Sequence, residues 1–266
     1  MGVRRTAAAL VALAALAVTL PACASGDGGL GSAATSPRFR VLVFSRTTGY
    51  RHASIPAGVA AIRRLGRARG FGVDHTEDEG RFTDRGLAPY AAVVFLSTTG
   101  EPLARAAHRR AFRRYVERGG GFLGIHAASD SFYDWPWYVG LVGASFRRHA
   151  PGTPAANVLV EDRHTAATAG LAPVWRRTDE WYAFRSNPRG RVHVLATVDE
   201  RSYDPDDASM GADHPIAWCR RYDGGRSLYT AMGHTSESFR EPSFEAHLLG
   251  AIEMAAGAAP FACAGR

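Results

Sequence analysis

The chain has 266 residues, of which 46% are hydrophobic, 21% charged and 10% aromatic, enough apolar material for one substantial core and too little charge for a disordered protein. The formal charge is +7, yet every basic residue is arginine and the arginines are scattered or lie along helix faces. That is unlike the clustered footprint of a nucleic-acid surface, so no nucleic-acid partner is expected, and with only one apolar stretch, at the N-terminus, a polytopic membrane protein is excluded.

Residues 1–24 read as an export signal. Arg4 and Arg5 precede an apolar run from Ala7 to Leu20, the length of a signal-peptide core and short for a membrane span. Ala22-Cys23-Ala24 offers small residues for cleavage. Leu20-Pro21-Ala22-Cys23 resembles a bacterial lipobox, in which an acylated Cys23 would hold the chain at the outer face of the membrane, although Pro21 departs from the residue usual there. Residues 25–38, rich in Gly, Ser, Ala and Thr, suit a flexible tether. Either route exports the chain, secreted or lipid-anchored to the outer face of the cytoplasmic membrane. Cys219 and Cys263 then form an even pair in an oxidising compartment, and a disulfide is expected.

Arg40 to Arg46 is a short apolar run of the kind found in buried parallel strands. A helix follows, with Ser54 as N-cap, Pro56 in its first turn, Ile55, Val59, Ile62 and Leu65 inward, and Gly70 as its stop. Phe71–Thr76 and Ala91–Ser97 read as the second and third strands. Glu101 to Arg118 reads as an arginine-faced helix with an inner stripe of Leu103, Ala107, Ala111 and Tyr115. The glycines at 119–121 end it before a fourth strand, Phe122–Ile125. This alternation predicts an α/β fold with a doubly wound, mostly parallel sheet and helices on both faces. Further strands are expected at Asn157–Val160, Val192–Val198, Pro215–Cys219 and Arg226–Met232, with a last helix at Glu241–Ala256. Ser129–Pro154 and Arg201–Asp213 read as long loops, which in compact domains are more often functional than idle. With no linker after residue 40, a single domain over residues 39–257 and a C-terminal tail over 258–266 are expected.

In open α/β sheets ligands sit outside the carboxyl ends of the strands. His52, His126 and His234 follow the first, fourth and last strands, which places them on one rim. Gly124-Ile125-His126-Ala127-Ala128 has the spacing of a nucleophile elbow with histidine at the exposed position, where imidazole serves as general base, metal ligand or hydrogen-bond donor. Asp179-Glu180-Trp181-Tyr182 and the aromatic segment Ser131–Gly140, with Trp135 and Trp137, suggest a sugar subsite: rings stack on sugar faces while Glu180 or Asp179 bonds hydroxyls or acts as base. Aromatics this dense in a loop either plug a core or line a pocket, and core burial is expected for at least one of these tryptophans.

The segments Tyr50–Ile55, Gly119–Phe132, Phe146–Pro151, Thr178–Tyr182, His214–Cys219 and Gly225–Phe239 resemble the trehalose-utilisation (ThuA-like) family, over about residues 39–257. The resemblance implies a flavodoxin-like α/β sandwich similar to class I glutamine amidotransferases, and a role in the uptake and breakdown of trehalose and related sugars, 3-keto derivatives included. Against the amidotransferases, His126 stands in place of the elbow cysteine, so glutaminase activity is not expected. The catalytic set expected is His52, His126, Asp130, Glu180 and His234, with Arg51, Trp135, Trp181 and Tyr182 contacting a sugar or keto-sugar. His149 and His214 are secondary candidates. No HxH, HxxxH or HExxH pair is present, so a divalent metal such as zinc would have to be held by His52, His126 and His234 with Asp130 or Glu180, the alternative being a purely hydrogen-bonded cluster. The rival to an enzyme is a non-catalytic, lipid-tethered sugar-binding module.

Overall fold

The computed structural model describes residues 1–2 and 37–263; most of the expected export signal, Cys23 and the tether as far as residue 36 lie outside the described residues. No helix among the described residues is long and apolar enough to cross a membrane. The chain from Pro37 onward folds as one unit.

Its first part runs β1 (Arg40–Phe44), α1 (Ile55–Arg69), β2 (Gly72–Thr76), a one-turn α2 (Asp84–Leu87), β3 (Ala92–Leu96), α3 (Ala106–Glu117) and β4 (Gly121–Ile125). It continues through α4 (Pro136–Val142), β5 (Phe146–His149), β6 (Ala155–Val160), β7 (Val174–Thr178), β8 (Tyr182–Phe184), β9 (His193–Asp199), β10 (Pro215–Tyr222), β11 (Gly225–Thr230) and α5 (Pro242–Ala256). Nine strands form one sheet in the order β2-β1-β3-β4-β11-β10-β9-β6-β7, and β5 pairs with β8 separately. The half from β2 to β11 is parallel; from β11 outward every pairing is antiparallel.

Helices cover both faces because successive strand residues point oppositely. Phe95 of β3 packs on Phe112 of α3, ring centroids 5.1 Å apart. Its neighbour Leu96 faces α1, where a Cβ at Gly58 would meet Leu96 Cδ2 at 2.9 Å. α5 lies beside α1, and Tyr138 of α4 joins Phe95 and Phe122 on the other face. The central strands β1, β3 and β4 are buried almost throughout, as their apolar runs require. Parallel register aligns Phe44 with Phe95, Leu96 with Ile125, and Ile125 with Thr230, so the carboxyl ends of four strands open on one edge. A Cys219–Cys263 disulfide, with Cα atoms 5.6 Å apart, ties β10 to the segment after α5.

Four details differ from the sequence reading. α3 begins at Ala106 rather than Glu101, and its inner face is Ala111, Phe112 and Val116, with Ala107 exposed. Leu103 is buried but belongs to the preceding loop, so it lent the helix a false periodicity. Ser54 occupies the N-cap position of α1 without capping it; its hydroxyl donates instead to the Gly233 carbonyl at 3.1 Å. The segment Ser129–Pro154 contains α4 and β5. β7 and β8, neither of them anticipated, flank Asp179 and Glu180.

Candidate functional site

His126 follows β4 directly and has φ +52°. A side-chain-bearing residue held there costs about 1–3 kcal/mol and persists only where the surroundings over-determine it. Small neighbours make the turn possible: a Cβ at Gly124 would lie 3.0 Å from Tyr229 Cδ2 and 3.1 Å from Ala128 Cβ. The backbone is held by the Tyr229 hydroxyl, which donates to the His126 carbonyl at 2.7 Å. The ring packs on Tyr182, centroids 4.3 Å apart, and its Nδ1 lies 2.7 Å from the Ala231 carbonyl. A carbonyl only accepts, so Nδ1 carries a proton, and in the neutral ring the lone pair is on Nε2.

That lone pair faces three other groups. His52 Nε2 is 3.1 Å away, His234 Nδ1 3.2 Å and Glu180 Oε2 3.5 Å. His234 Nδ1 is in turn 3.1 Å from Glu180 Oε2, and one ligand atom from each of the four residues lies within 4.8 Å of all the others. His52, His126 and Glu180 are buried, whereas the His234 side chain is 24% exposed.

Each member is positioned by a different loop. His52 comes from the β1–α1 loop, which the Thr99 hydroxyl pins by donating to the Tyr50 carbonyl at 2.8 Å. His234 follows β11, and Glu180 lies between β7 and β8. These last two segments share one anchor, the fully buried Asp179. Its carboxylate accepts from the amides of Gly233 at 2.8 Å, His234 at 3.0 Å and Glu180 at 3.0 Å, and from the buried Arg177 guanidinium at 2.8 Å.

The electrostatics divide the roles. Burial, reinforced by the neighbouring His126 and His234, pushes the His52 pKa down to about 3, so His52 is neutral at pH 7. Burial alone would raise the Glu180 pKa, but hydrogen bonding and charge from His126 and His234 outweigh it and hold the carboxyl well below the usual range. The hydrogen bond that His234 donates to Glu180 raises the His234 pKa against the opposing effect of burial. The cluster thus offers a neutral imidazole in His52, a carboxylate in Glu180 and an imidazole disposed to hold a proton in His234, with His126 Nε2 between them, a set suited to proton transfer or to a single divalent cation.

The model of the trehalose-utilisation family, ThuA, matches residues 40–255. The chain belongs to the ThuA family. A ThuA-like protein from Bacteroides uniformis is 26% identical, with a TM-score of 0.71 over 82% of this ThuA chain and 91% of that one. One from Parabacteroides merdae is 20% identical, with a TM-score of 0.64 over 84% and 91%. A cytoplasmic protein of Salmonella typhimurium, 12% identical, shares the fold with a TM-score of 0.60 over 82% and 99%. No curated protein matches the sequence.

The ThuA rim brings together His52, His126, His234 and Glu180, and Tyr182 stands against it as a wall. The other expected residues lie differently. Asp130 is not among the clustered ligand atoms; it accepts from the Tyr133 hydroxyl at 2.5 Å, and burial raises its pKa. Arg51 is half exposed and paired with Glu77 at 2.7 Å. Trp181, 1% exposed with its indole donating to the Pro154 carbonyl, is a core residue with no face left for a sugar. Trp135 packs with Phe132, Trp137 and Tyr138 beneath the Arg109 guanidinium. Dense aromatics in that loop pack around α4, with Trp135 partly buried among them. His214 is buried, bonded to Glu200 and to the Tyr182 carbonyl, and thereby supports the wall. His149, a secondary candidate in the sequence, lies 3.3 Å from Glu180 Oε1 with its side chain 38% exposed. The anchoring role of Asp179 carried no sequence signal beyond its position beside Glu180, since its donors lie more than fifty residues downstream or within two residues of it.

Proposed function

We propose that this ThuA chain is an exported protein of carbohydrate utilisation that moves a proton on, or hydrolyses, a sugar or keto-sugar at the rim of His52, His126, His234 and Glu180. One observation carries the reading: three imidazoles from distant loops and a carboxylate meet at the carboxyl edge of the parallel strands, with the lone pair of His126 aimed among them. Structural histidines satisfy their ring nitrogens against carbonyls or acids, as His214 does; here ring nitrogens face ring nitrogens. Glu180, anionic and bridging His234 and His149, is the natural partner for proton traffic to solvent. The trehalose-utilisation family supports a sugar as the ligand.

The test is turnover of trehalose, other disaccharides and their 3-keto forms by the chain lacking residues 1–24, followed by product analysis. His126→Ala is expected to abolish product formation with far-UV circular dichroism unchanged. Full activity in that variant would reject the assignment, and saturable sugar binding without product in both proteins would favour the sugar-binding module. Export and acylation at Cys23 belong to the same proposal; Cys23→Ser should release a membrane-held chain into the medium.

A further inference from the structure

We propose that His52, His126, His234 and Glu180 form a divalent transition-metal centre of the zinc class, with Nε2 of His52 and His126, Nδ1 of His234 and Oε2 of Glu180 as ligands. The inference deepens the function proposed above by naming the cofactor of the same rim.

The spacing fits an ion. Ligand atoms about 2.0–2.1 Å from a tetrahedral metal lie about 3.3–3.4 Å from one another. Four of the six contacts, at 3.1, 3.2, 3.5 and 3.1 Å, bracket that value, and the two from His52 to His234 and Glu180 lie within 4.8 Å. Hydrogen bonding alone accounts for the cluster less well. His126 Nε2 has one lone pair and no proton, yet two ring nitrogens approach it within 3.2 Å. Only one N–H can lie along that lone pair, which leaves the other nitrogen facing a nitrogen across a buried gap. One cation satisfies all four atoms together.

The donor chemistry selects the class of ion. Three imidazoles and a single carboxylate suit zinc and its first-row neighbours, whereas calcium and magnesium take oxygen ligands. The support around His126 is also of the kind metal sites use. The Nδ1–H of His126 donates to the Ala231 carbonyl, which fixes the tautomer with Nε2 turned inward. Asp179 holds the amides on both sides of the approach to His234 and the amide of Glu180, so a single buried carboxylate sets two of the four ligands. His149 touches the other oxygen of Glu180 from the solvent side and lies outside the four.

The experiment uses the chain from residue 25 onward, produced without an affinity tag and purified without chelator. Inductively coupled plasma mass spectrometry should find about one equivalent of zinc or another first-row metal per chain. After the metal is stripped, adding zinc should raise the Tm by roughly 5 °C or more. His52→Ala, His126→Ala, His234→Ala and Glu180→Gln should each lower bound metal at least tenfold, while His149→Gln and the remote His164→Ala keep it. Asp179→Asn should weaken metal affinity by about 10-fold through the supporting shell. Less than a tenth of an equivalent, with no Tm response of the wild-type chain to zinc, manganese, iron, cobalt, nickel or copper, overturns the proposal without reference to any variant. Metal bound with no turnover of any sugar would leave this centre standing and remove the proposed function; turnover without metal would do the reverse.

Discussion

Replacing Asp179 by alanine is expected to destabilise the chain by about 4 kcal/mol, from the cost of removing one partner of a buried ion pair. In the native chain the Arg177 side chain is 1% exposed and pairs with Asp179 at 2.8 Å. Without Asp179 its remaining acid is Glu241, 3.4 Å away, and the amides of Gly233, His234 and Glu180 lose their acceptor. Removing one partner of a buried pair costs about 3–5 kcal/mol, and each abandoned buried donor adds about 1–3 kcal/mol where water does not reach it. Water entering the space vacated by the carboxylate would serve the freed amides, and the surviving Glu241 contact shares the Arg177 charge, so the expected loss stays near the middle of the first range. Urea unfolding followed by far-UV circular dichroism would show it as a fall in midpoint of roughly 1–2 M. A second substitution sharpens the logic. Arg177→Met sits among Trp175, Phe244 and Met232, so Asp179→Ala/Arg177→Met should regain part of the loss, as apolar replacements of buried ion pairs do. A single variant within about 1 kcal/mol of wild type, or a double variant whose losses simply add, would refute the anchoring role.

Reducing the Cys219–Cys263 bridge, or Cys263→Ser, should cost about 4 kcal/mol in the chain-entropy model for a closed loop of this length, read as a Tm lower by roughly 10 °C. His247 is buried with its Nδ1–H on the Ala167 carbonyl, and burial lowers its pKa to about 4. Below the unfolded value near 6.5 the unfolded chain takes up a proton that the folded chain refuses. Stability from this group is therefore intact above pH 6.5 and lost as pH falls toward 4, by about 2.5 kcal/mol at pH 4.5. His247→Leu should flatten that part of the profile, and an unchanged slope in urea melts at pH 7 and 4.5 would contradict the sign. Gly124→Val would drive side-chain atoms into Tyr229, Ala128 and Phe122, costing about 1–3 kcal/mol and disordering the His126 turn; a variant with wild-type stability and an unaltered His126 imidazole NMR signal would show the turn to be less constrained.

Strands β1, β3 and β4 were legible because they are continuous apolar runs, and burial on both faces demands that composition. β7 was not. Its buried face carries Arg177, which reads as polar because the groups that neutralise it, Asp179, Ser238 and Glu241, belong to a turn and to segments more than sixty residues away or just beyond the strand. The rim followed the same division. Histidines at strand ends could be placed on one edge from topology alone, but their distances depend on how the β11–α5 and β7–β8 segments are tied together, and Asp179 does that through backbone amides that leave no pattern in the sequence. The tryptophans were ambiguous for a related reason: an aromatic loop looks alike whether it lines a pocket or wraps a short helix such as α4.

The four rim residues come from points scattered along nearly the whole chain, from the first loop to the turn before the last helix. An N-terminal fragment that stops before His234 therefore carries only an incomplete version of the site, however well its first strands fold. A polypeptide threaded through a membrane in extended form would complete this ring only on the far side. Whatever small cation or sugar it captured would then be drawn from the stock of the compartment where folding ends, not from the one where synthesis began.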